Sequence, residues 1–363
     1  MKANDIITRF ITLSDPVYFA AAASKILLIT VLLWMIHQYR PHWKNFANFF
    51  LFILLIRVLL FGEYFSWGFY GEHLGTDDVG WRQKSVLDFE YKKFFKNTQK
   101  INYFAVGSSQ TLALYTHYAK EHQELSVMHL SSMTTLDLFL YKKFIAARKP
   151  DHILLYLSEF DMTKPPELNA SKLAPAQGIG LLPILPMLYE ISKETHSEIA
   201  LNEMITGEFF PEYKYAFIFR GFTEKIMRKN ASLHLASLLD ALHPDAEGVR
   251  KNIEDMSRRM DKRWIKYNDY FLTKFLSYCK DHSIKVIIVE GQYNPLAYTE
   301  KNLSLNQVTR LDLESLAKKY DNVVFLPRSS VTQFIENDYS DVTHVKTEPA
   351  YHFVESLIRK ISS

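Results

Sequence analysis

Residues 101–111 read INYFAVGSSQT. The first half is a short apolar and aromatic run of the kind that forms a buried strand. Gly107, Ser108 and Ser109 end it where a helical pattern, SQTLALYTHYAKEH, begins. A glycine permits the tight turn from strand to helix. The second serine then stands at a helix N-terminus, where backbone N–H groups point outward and the macrodipole favours negative charge. Serine is also a common helix cap, so this stretch alone leaves a cap and a nucleophile both open.

The same rhythm continues outward from it. KINYFAV (100–106), LSVMHL (125–130), HILLYLS (152–158), IKVIIVE (284–290) and NVVFL (322–326) are short apolar runs, most of them rich in β-branched residues. Each reads as a strand covered on both faces, the mark of a parallel sheet. Helical patterns separate them: TTLDLFLYKKFIAAR with Thr134 or Thr135 as cap and Pro150 beyond its end, RWIKYNDYFLTKFLSYCKDH, and NQVTRLDLESLAKKY. The tail EPAYHFVESLIRKI places Ala350, Phe353, Val354, Leu357 and Ile361 on one helix face. The expected fold class is α/β, a doubly wound five-stranded parallel sheet.

Two regions depart from that rhythm. About 120 residues separate the third and fourth strands, too many for an ordinary crossover. Residues 165–262 are therefore read as a mostly helical insertion, a lid or a surface resting on the lipid bilayer or on a partner. It includes a Pro-, Ala- and Leu-rich part and the aromatic, basic FFPEYKYAFIFRGFTEKIM. At the other end, VYFAAAASKILLITVLLWMI (17–36) is apolar apart from Lys25, and FANFFLFILLIRVLLFG (46–62) apart from Asn48 and Arg57. Both approach the length needed to cross about 30 Å of hydrocarbon, and Trp34, Trp43, Tyr64, Trp67, Phe69 and Tyr70 flank them as interfacial rings would. Two transmembrane helices are expected ahead of the sheet. Arg40 and Lys44 in the connector, against Glu63, Glu72, Asp77 and Asp78 after the second span, place the large domain on the extracytoplasmic face of the cytoplasmic (inner) membrane. The organisation expected is a membrane anchor over 1–70, a connector over 71–97 and an α/β domain over 98–363.

Composition narrows the function. The 363 residues are 48% hydrophobic and 23% charged with a net charge of +3, which argues for a folded chain and against a nucleic-acid surface. The one cysteine, Cys279, lies at helical spacing among apolar residues, so no disulfide framework or cysteine metal site is expected. There is no H-E-x-x-H, no glycine-rich phosphate loop and no carboxylate cluster with metal spacing; neither metal nor cofactor is expected.

A second constellation lies just before the last helix, in NDYSDVTHVKTEPA. Asp341 and His344 are three positions apart. On a turn that spacing puts both side chains on one side, so the carboxylate can hold the imidazole tautomer whose free nitrogen faces a serine. A solvated ion pair has the same spacing.

Taken together, Gly-x-Ser after the first strand, a second turn after strand two and Asp-x-x-His before the C-terminal helix resemble the SGNH/GDSL hydrolase superfamily, in the order Ser, Asp, His. FAVGSSQT with the following VMHLSSMTTLDLFLYKKFIAARKPDHILLYLS is similar to its membrane-anchored branch, which includes the lipoteichoic-acid D-alanyl transfer protein (DltD-like) and related polysaccharide O-acylation proteins. The resemblance covers roughly residues 98–163 and 265–361, by pattern rather than identity. It implies Ser109 as nucleophile, His344 as general base and Asp341 as the residue orienting it. The superfamily's oxyanion glycine falls at Ser131, and where an asparagine would add a donor after strand three this chain has Ser158. Losing such a donor costs about 2.7–4 kcal/mol of transition-state stabilisation.

Further candidates at the same sheet edge are His129, where the superfamily often has asparagine, and Glu159, Asp161 and Glu290, as contacts for a cationic or hydroxyl-rich substrate. Helix capping explains Asp161 nearly as well. His117 and His122 read as helix-surface residues. The expected function is a serine acyltransferase or esterase that passes an acyl group to a cell-envelope polysaccharide or polymer through an acyl-serine. The resemblance implies a membrane-bound O-acyltransferase as partner. The alternatives are an envelope carbohydrate esterase that removes acyl groups and a non-catalytic SGNH-like scaffold.

Overall fold

The computed structural model describes residues 101–129, 133–146, 149–168, 181–209 and 246–362, with isolated positions between residues 31 and 52. The chain divides into two compact units. One, Trp81–Leu201 with Ser232–Ser363, holds the sheet; the other comprises Met1–Gly80 and Asn202–Ala231.

The sheet has five parallel strands: β1 (Tyr103–Gly107), β2 (Leu125–His129), β3 (His152–Leu157), β4 (Lys285–Glu290) and β5 (Val323–Leu326), in the order β2-β1-β3-β4-β5. Each strand falls on one of the five apolar runs. The three central strands are buried on both faces, with Phe104, Ala105, Ile153, Leu154, Leu155, Val286 and Ile288 at 5% exposure or less. Only the short edge strand β5 shows a large apolar side chain to solvent, Val324.

Helices cover the two faces. Described helices are α1 (Ser109–Glu121), α2 (Thr135–Ala146), α3 (Glu159–Thr163), α4 (Leu185–Thr195), α5 (Glu198–Phe209), α6 (Ala246–Arg259), α7 (Ile265–Asp281), α8 (Glu300–Lys319) and α9 (Thr347–Ser362). Side chains alternate along a strand. Tyr103, Ala105, Leu125, Val127, Leu154, Tyr156, Ile287 and Val289 accordingly share one core with Leu114, Tyr115 and Tyr118 of α1 and Ala350, Phe353, Val354 and Leu357 of α9. The apolar stripe read from the tail is thus the face α9 buries. Elsewhere α2 packs on α7 through Phe139 and Phe271, whose rings lie 6.0 Å apart, and Thr135 Oγ1 donates to Asn268 Oδ1 at 2.8 Å. Thr134 is tied to the first turn of α2: its N–H and Oγ1 donate to Asp137 Oδ2 at 2.7 and 3.2 Å. Cys279 is buried in α7, and that burial pushes its thiol above the usual range.

Between β3 and β4 the secondary structure among the described residues is helical, α3 to α7 with short 3-10 turns. The stretch FFPEYKYAFIFRGFTEKIM lies outside the described residues beyond Phe209.

The membrane expectations are corrected. Among the described residues no helix is long and apolar enough to cross a membrane. A crossing helix needs about 20 predominantly apolar residues. The described helix of that length, α8, interleaves apolar positions with Glu300, Lys301, Arg310, Glu314, Lys318 and Lys319. The fold class among the described residues is therefore the five-stranded parallel sheet, and the expected pair of preceding transmembrane helices is not found there. The two-span localisation in the cytoplasmic membrane, with an extracytoplasmic domain, falls with them. Residues 17–36 and 46–62 lie outside the described residues apart from Val31, Trp34, Asn48, Phe49 and Phe52, as does the connector expected at 71–97.

Candidate active site

In an open parallel sheet a ligand crevice forms beyond the carboxyl ends of the strands, where successive connections run in opposite directions. Here the chain moves from β1 outward to β2 and returns to the other side of β1 at β3, so the switch point lies between β1 and β3. The residues that follow these two strands are Ser108 and Ser109 on one side and Ser158 and Glu159 on the other.

Gly107 ends β1 in register with Tyr156 and with His129 of β2. A Cβ at position 107 would stand 1.8 Å from Thr111 Oγ1 and 3.3 Å from the Tyr156 carbonyl oxygen, so the closely packed turn requires glycine. Ser108 is the N-cap residue of α1 but makes no side-chain cap. Ser109 follows as the first helical residue and is half-buried. The first turn of this 13-residue helix carries no acidic side chain, which leaves the positive end of its dipole free to favour an anion beside Ser109.

Asp341 and His344 lie in a stapled loop that leads into α9. Ser340 N–H donates to the His344 carbonyl at 2.8 Å, Lys346 N–H to the Asp338 carbonyl at 2.7 Å, and an antiparallel bridge joins Tyr339 to Val345. The loop is also pinned to the segment after β4, where Asn294 N–H donates to the Val342 carbonyl at 3.0 Å. Within it His344 Nδ1 lies 2.6 Å from Asp341 Oδ2, while Asp341 Oδ1 accepts from the N–H of Thr343 at 2.6 Å and of His344 at 2.7 Å. Burial alone would raise the Asp341 carboxyl. The hydrogen bond and charge of His344 and the two N–H donors outweigh burial and hold it below the usual carboxylate range. An ionised carboxylate at this distance places the ring proton on Nδ1 and leaves the lone pair on Nε2. His344 is 15% exposed and Asp341 20%, so the pair is partly sheltered yet open on one side.

The helix that follows this loop runs alongside α1. Thr347 Oγ1 is 3.3 Å from His117 Nε2, about two turns along α1 from Ser109, and His122 Nε2 is 3.3 Å from the Tyr351 hydroxyl. The two histidines read as surface residues are thus half-buried between α1 and α9. Asp341 and His344 are brought together directly. No hydrogen bond among the described residues joins Ser109 Oγ to His344.

Beyond β3 the geometry is closed. Ser158 donates to Asp161 Oδ2 from its N–H at 3.0 Å and from Oγ at 2.7 Å, and its Oγ also accepts the Tyr293 hydroxyl. Asp161 completes a capping box on α3 and pairs with Lys164 at 3.3 Å, both side chains 2% exposed. The donors of Ser158 are thus spent on Asp161, and Asp161 serves as a helix cap rather than an open contact. Gly291, after β4, packs so closely on this turn that a Cβ there would lie 2.7 Å from Ser158 Cβ.

Glu159 and Glu290 are both buried, at 1% and 2% exposure, and share one amide. Asn306 Nδ2 donates to Glu159 Oε2 and to Glu290 Oε1, each at 3.1 Å. Arg328 closes the group, donating from its N–H to Glu290 Oε2 at 2.7 Å and from Nη2 to Asn306 Oδ1 at 3.1 Å, with its guanidinium over the Tyr298 ring. Glu159 Oε1 has no partner among the described residues. Burial pushes the Glu159 carboxyl up to about 7, against the lowering effects of hydrogen bonding and of Arg328. Arg328 immediately follows Pro327 after β5, so weighing the residues after that strand as those after the others were weighed would have found it. Asn306 had no such signal: it is one polar position among several on a long amphipathic helix. His129 ends β2, but its side chain, like all of Ser131, lies outside the described residues.

No family model and no curated protein matches this chain. Among solved structures it is similar to a GDSL-like lipase from Bacteroides thetaiotaomicron, at 9% identity and a TM-score of 0.35 over 71% of this chain and 86% of that one. It is also similar to a candidate platelet activating factor from Streptococcus pneumonia, at 10% identity and a TM-score of 0.37 over 77% and 92% of the respective chains. Both likenesses are of fold at low identity, and the roles of residues in this chain rest on its own geometry.

Proposed function

We propose that this protein is a serine acyl-transfer enzyme of SGNH/GDSL type, with Ser109 as nucleophile, His344 as general base and Asp341 as its orienting partner. The observation that carries the reading is the Asp341–His344 couple, in which one carboxylate oxygen is held by backbone donors and the other meets Nδ1 at 2.6 Å. His344 Nε2 takes the Oγ proton as Ser109 attacks the carbonyl carbon of an ester or thioester. The carbonyl electrons move to oxygen, and the N–H groups of Ser109 and Ser131 stabilise that oxyanion. Collapse expels the alkoxide or thiolate, which takes the proton from His344, and leaves an acyl-serine. Water or an acceptor hydroxyl then removes the acyl group by the same steps reversed.

The acceptor we propose is a hydroxyl of a cell-envelope polymer or glycan, with a membrane-bound O-acyltransferase as partner. Both rest on the resemblance of residues 98–163 and 265–361 to polysaccharide O-acylation proteins. Co-purification of an acyltransferase with the full chain tests the second.

One observation favours a non-catalytic scaffold instead: the donors of Ser158 are engaged by Asp161, which leaves the turn after β3 without a side-chain donor for an oxyanion. A serine-directed fluorophosphonate separates the two readings. Labelling of the wild type that disappears in Ser109→Ala supports the enzyme. A folded wild type that does not label, or a Ser109→Ala variant that labels equally, defeats it.

A further inference from the structure

The Asp341–His344 couple has a third member that the Asp-x-x-His pattern does not mark. Thr343 Oγ1 lies 3.2 Å from Asp341 Oδ1 and 3.2 Å from His344 Nδ1. We propose that Thr343 is a positioning residue, whose hydroxyl holds Asp341 Oδ1 so that Oδ2 alone faces the imidazole and the ring keeps its proton on Nδ1. The inference rests on the reading of Asp341 and His344 as partners of Ser109.

A carboxylate can rotate about its Cβ–Cγ bond and exchange its two oxygens, and the χ2 torsion of aspartate is broad. Three donors oppose that rotation here, all on Oδ1: the N–H of Thr343, the N–H of His344 and the Thr343 hydroxyl. The two backbone donors come from the loop chain itself. The hydroxyl is the one that also touches the ring. It carries a single proton, and the ionised oxygen of Asp341 is the stronger acceptor, so Oγ1–H points to Oδ1. Its lone pairs then face Nδ1, where they tolerate Nδ1–H and repel a bare nitrogen. Thr343 thus favours the same tautomer from the side that Asp341 Oδ2 favours head-on. Thr343 is half-buried, and Ser340 Oγ, 3.0 Å from the His344 carbonyl, braces the loop without touching either ring or carboxylate.

The test compares Thr343→Val, which keeps the shape and loses the hydroxyl, with Thr343→Ser, which keeps the hydroxyl and loses the methyl. Nitrogen-15 NMR of histidine-labelled full-length protein reads the ring, with the His344 signals identified by their loss in His344→Gln. Thr343→Val should move the His344 signals away from the Nδ1–H form, and Thr343→Ser should restore them. Fluorophosphonate labelling should slow about tenfold in the valine variant, equivalent to about 1.4 kcal/mol of barrier, and recover in the serine variant. Thermal midpoints of both variants should match the wild type. If the two variants leave the His344 signals alike, whether both unchanged or both shifted, the hydroxyl has no positioning role and the proposal is wrong. A wild type that does not label defeats the acyl-transfer reading, while the NMR comparison still decides the role of Thr343.

Discussion

Glu159 offers the sharpest test of the buried rim. Its carboxyl is 1% exposed, one oxygen has no partner among the described residues, and burial pushes it up to about 7 from an ordinary 4.5. A carboxyl raised in this way keeps its proton in the folded chain after the unfolded chain has lost it. Its contribution to stability is therefore present below about pH 4.5, shrinks as pH rises toward 7, and levels off above that. At 1.36 kcal/mol for each pH unit between the two values, the wild type is about 3 kcal/mol less stable at pH 8 than a chain whose residue 159 never ionises. Glu159→Gln is such a chain, since the amide oxygen can still accept from Asn306 and the side chain keeps its volume. Urea unfolding of both proteins, followed by circular dichroism from pH 4 to 8, isolates the effect because titrating groups that do not interact with residue 159 cancel in the difference. The two should be nearly equal at pH 4, and the glutamine variant should gain steadily between pH 5 and 7. A difference that stays constant with pH, or that grows toward acid, would refute the reasoning about Glu159, Asn306, Glu290 and Arg328.

Other consequences can be measured separately. Gly291→Ala puts a Cβ within 2.7 Å of Ser158 Cβ and 3.0 Å of Ser158 N and Cα. Because those atoms include backbone, the variant should lose about 1–3 kcal/mol, and an unchanged melting temperature would show that the turn after β3 yields more easily than it is packed. Asp341, held below the usual 3.8, contributes stability that is present above that pH and lost as pH falls through its folded value. Asp341→Asn should therefore be less stable than the wild type at neutral pH, with the gap closing in stronger acid; a gap that persists there argues that its cause is not the carboxylate charge. The same variant should lose fluorophosphonate labelling, because an amide no longer demands the Nδ1–H tautomer.

Several features were legible in the chain itself. The five strands, the helices between them and the stripe on α9 all follow from apolar spacing over five to twenty residues, and in each the side chains that decide the element are close in sequence. Asp341 and His344 were legible for the same reason: three positions apart in a short loop, they meet whatever surrounds them. The reading failed where local pattern had to stand for environment. Two apolar stretches near the N-terminus suggested membrane spans, while no helix among the described residues is long and apolar enough to cross a membrane. Ser158 stood where an oxyanion donor was expected, and nothing within a few residues of it shows that Tyr293 would cover it.

Sequence by itself determined the five strands and the Asp341–His344 couple, because hydrophobic periodicity and short-range spacing act through neighbours on the chain. Only the tertiary structure decided that Asn306 joins Glu159 to Glu290, that Arg328 closes the group and that Tyr293 covers Ser158. Asn306 stands 147 positions from Glu159 in the chain, and Tyr293 stands 135 from Ser158. They meet because parallel strands bring the ends of distant segments to one edge of the sheet, where a buried polar group must find a hydrogen-bond partner or bear the cost of desolvation.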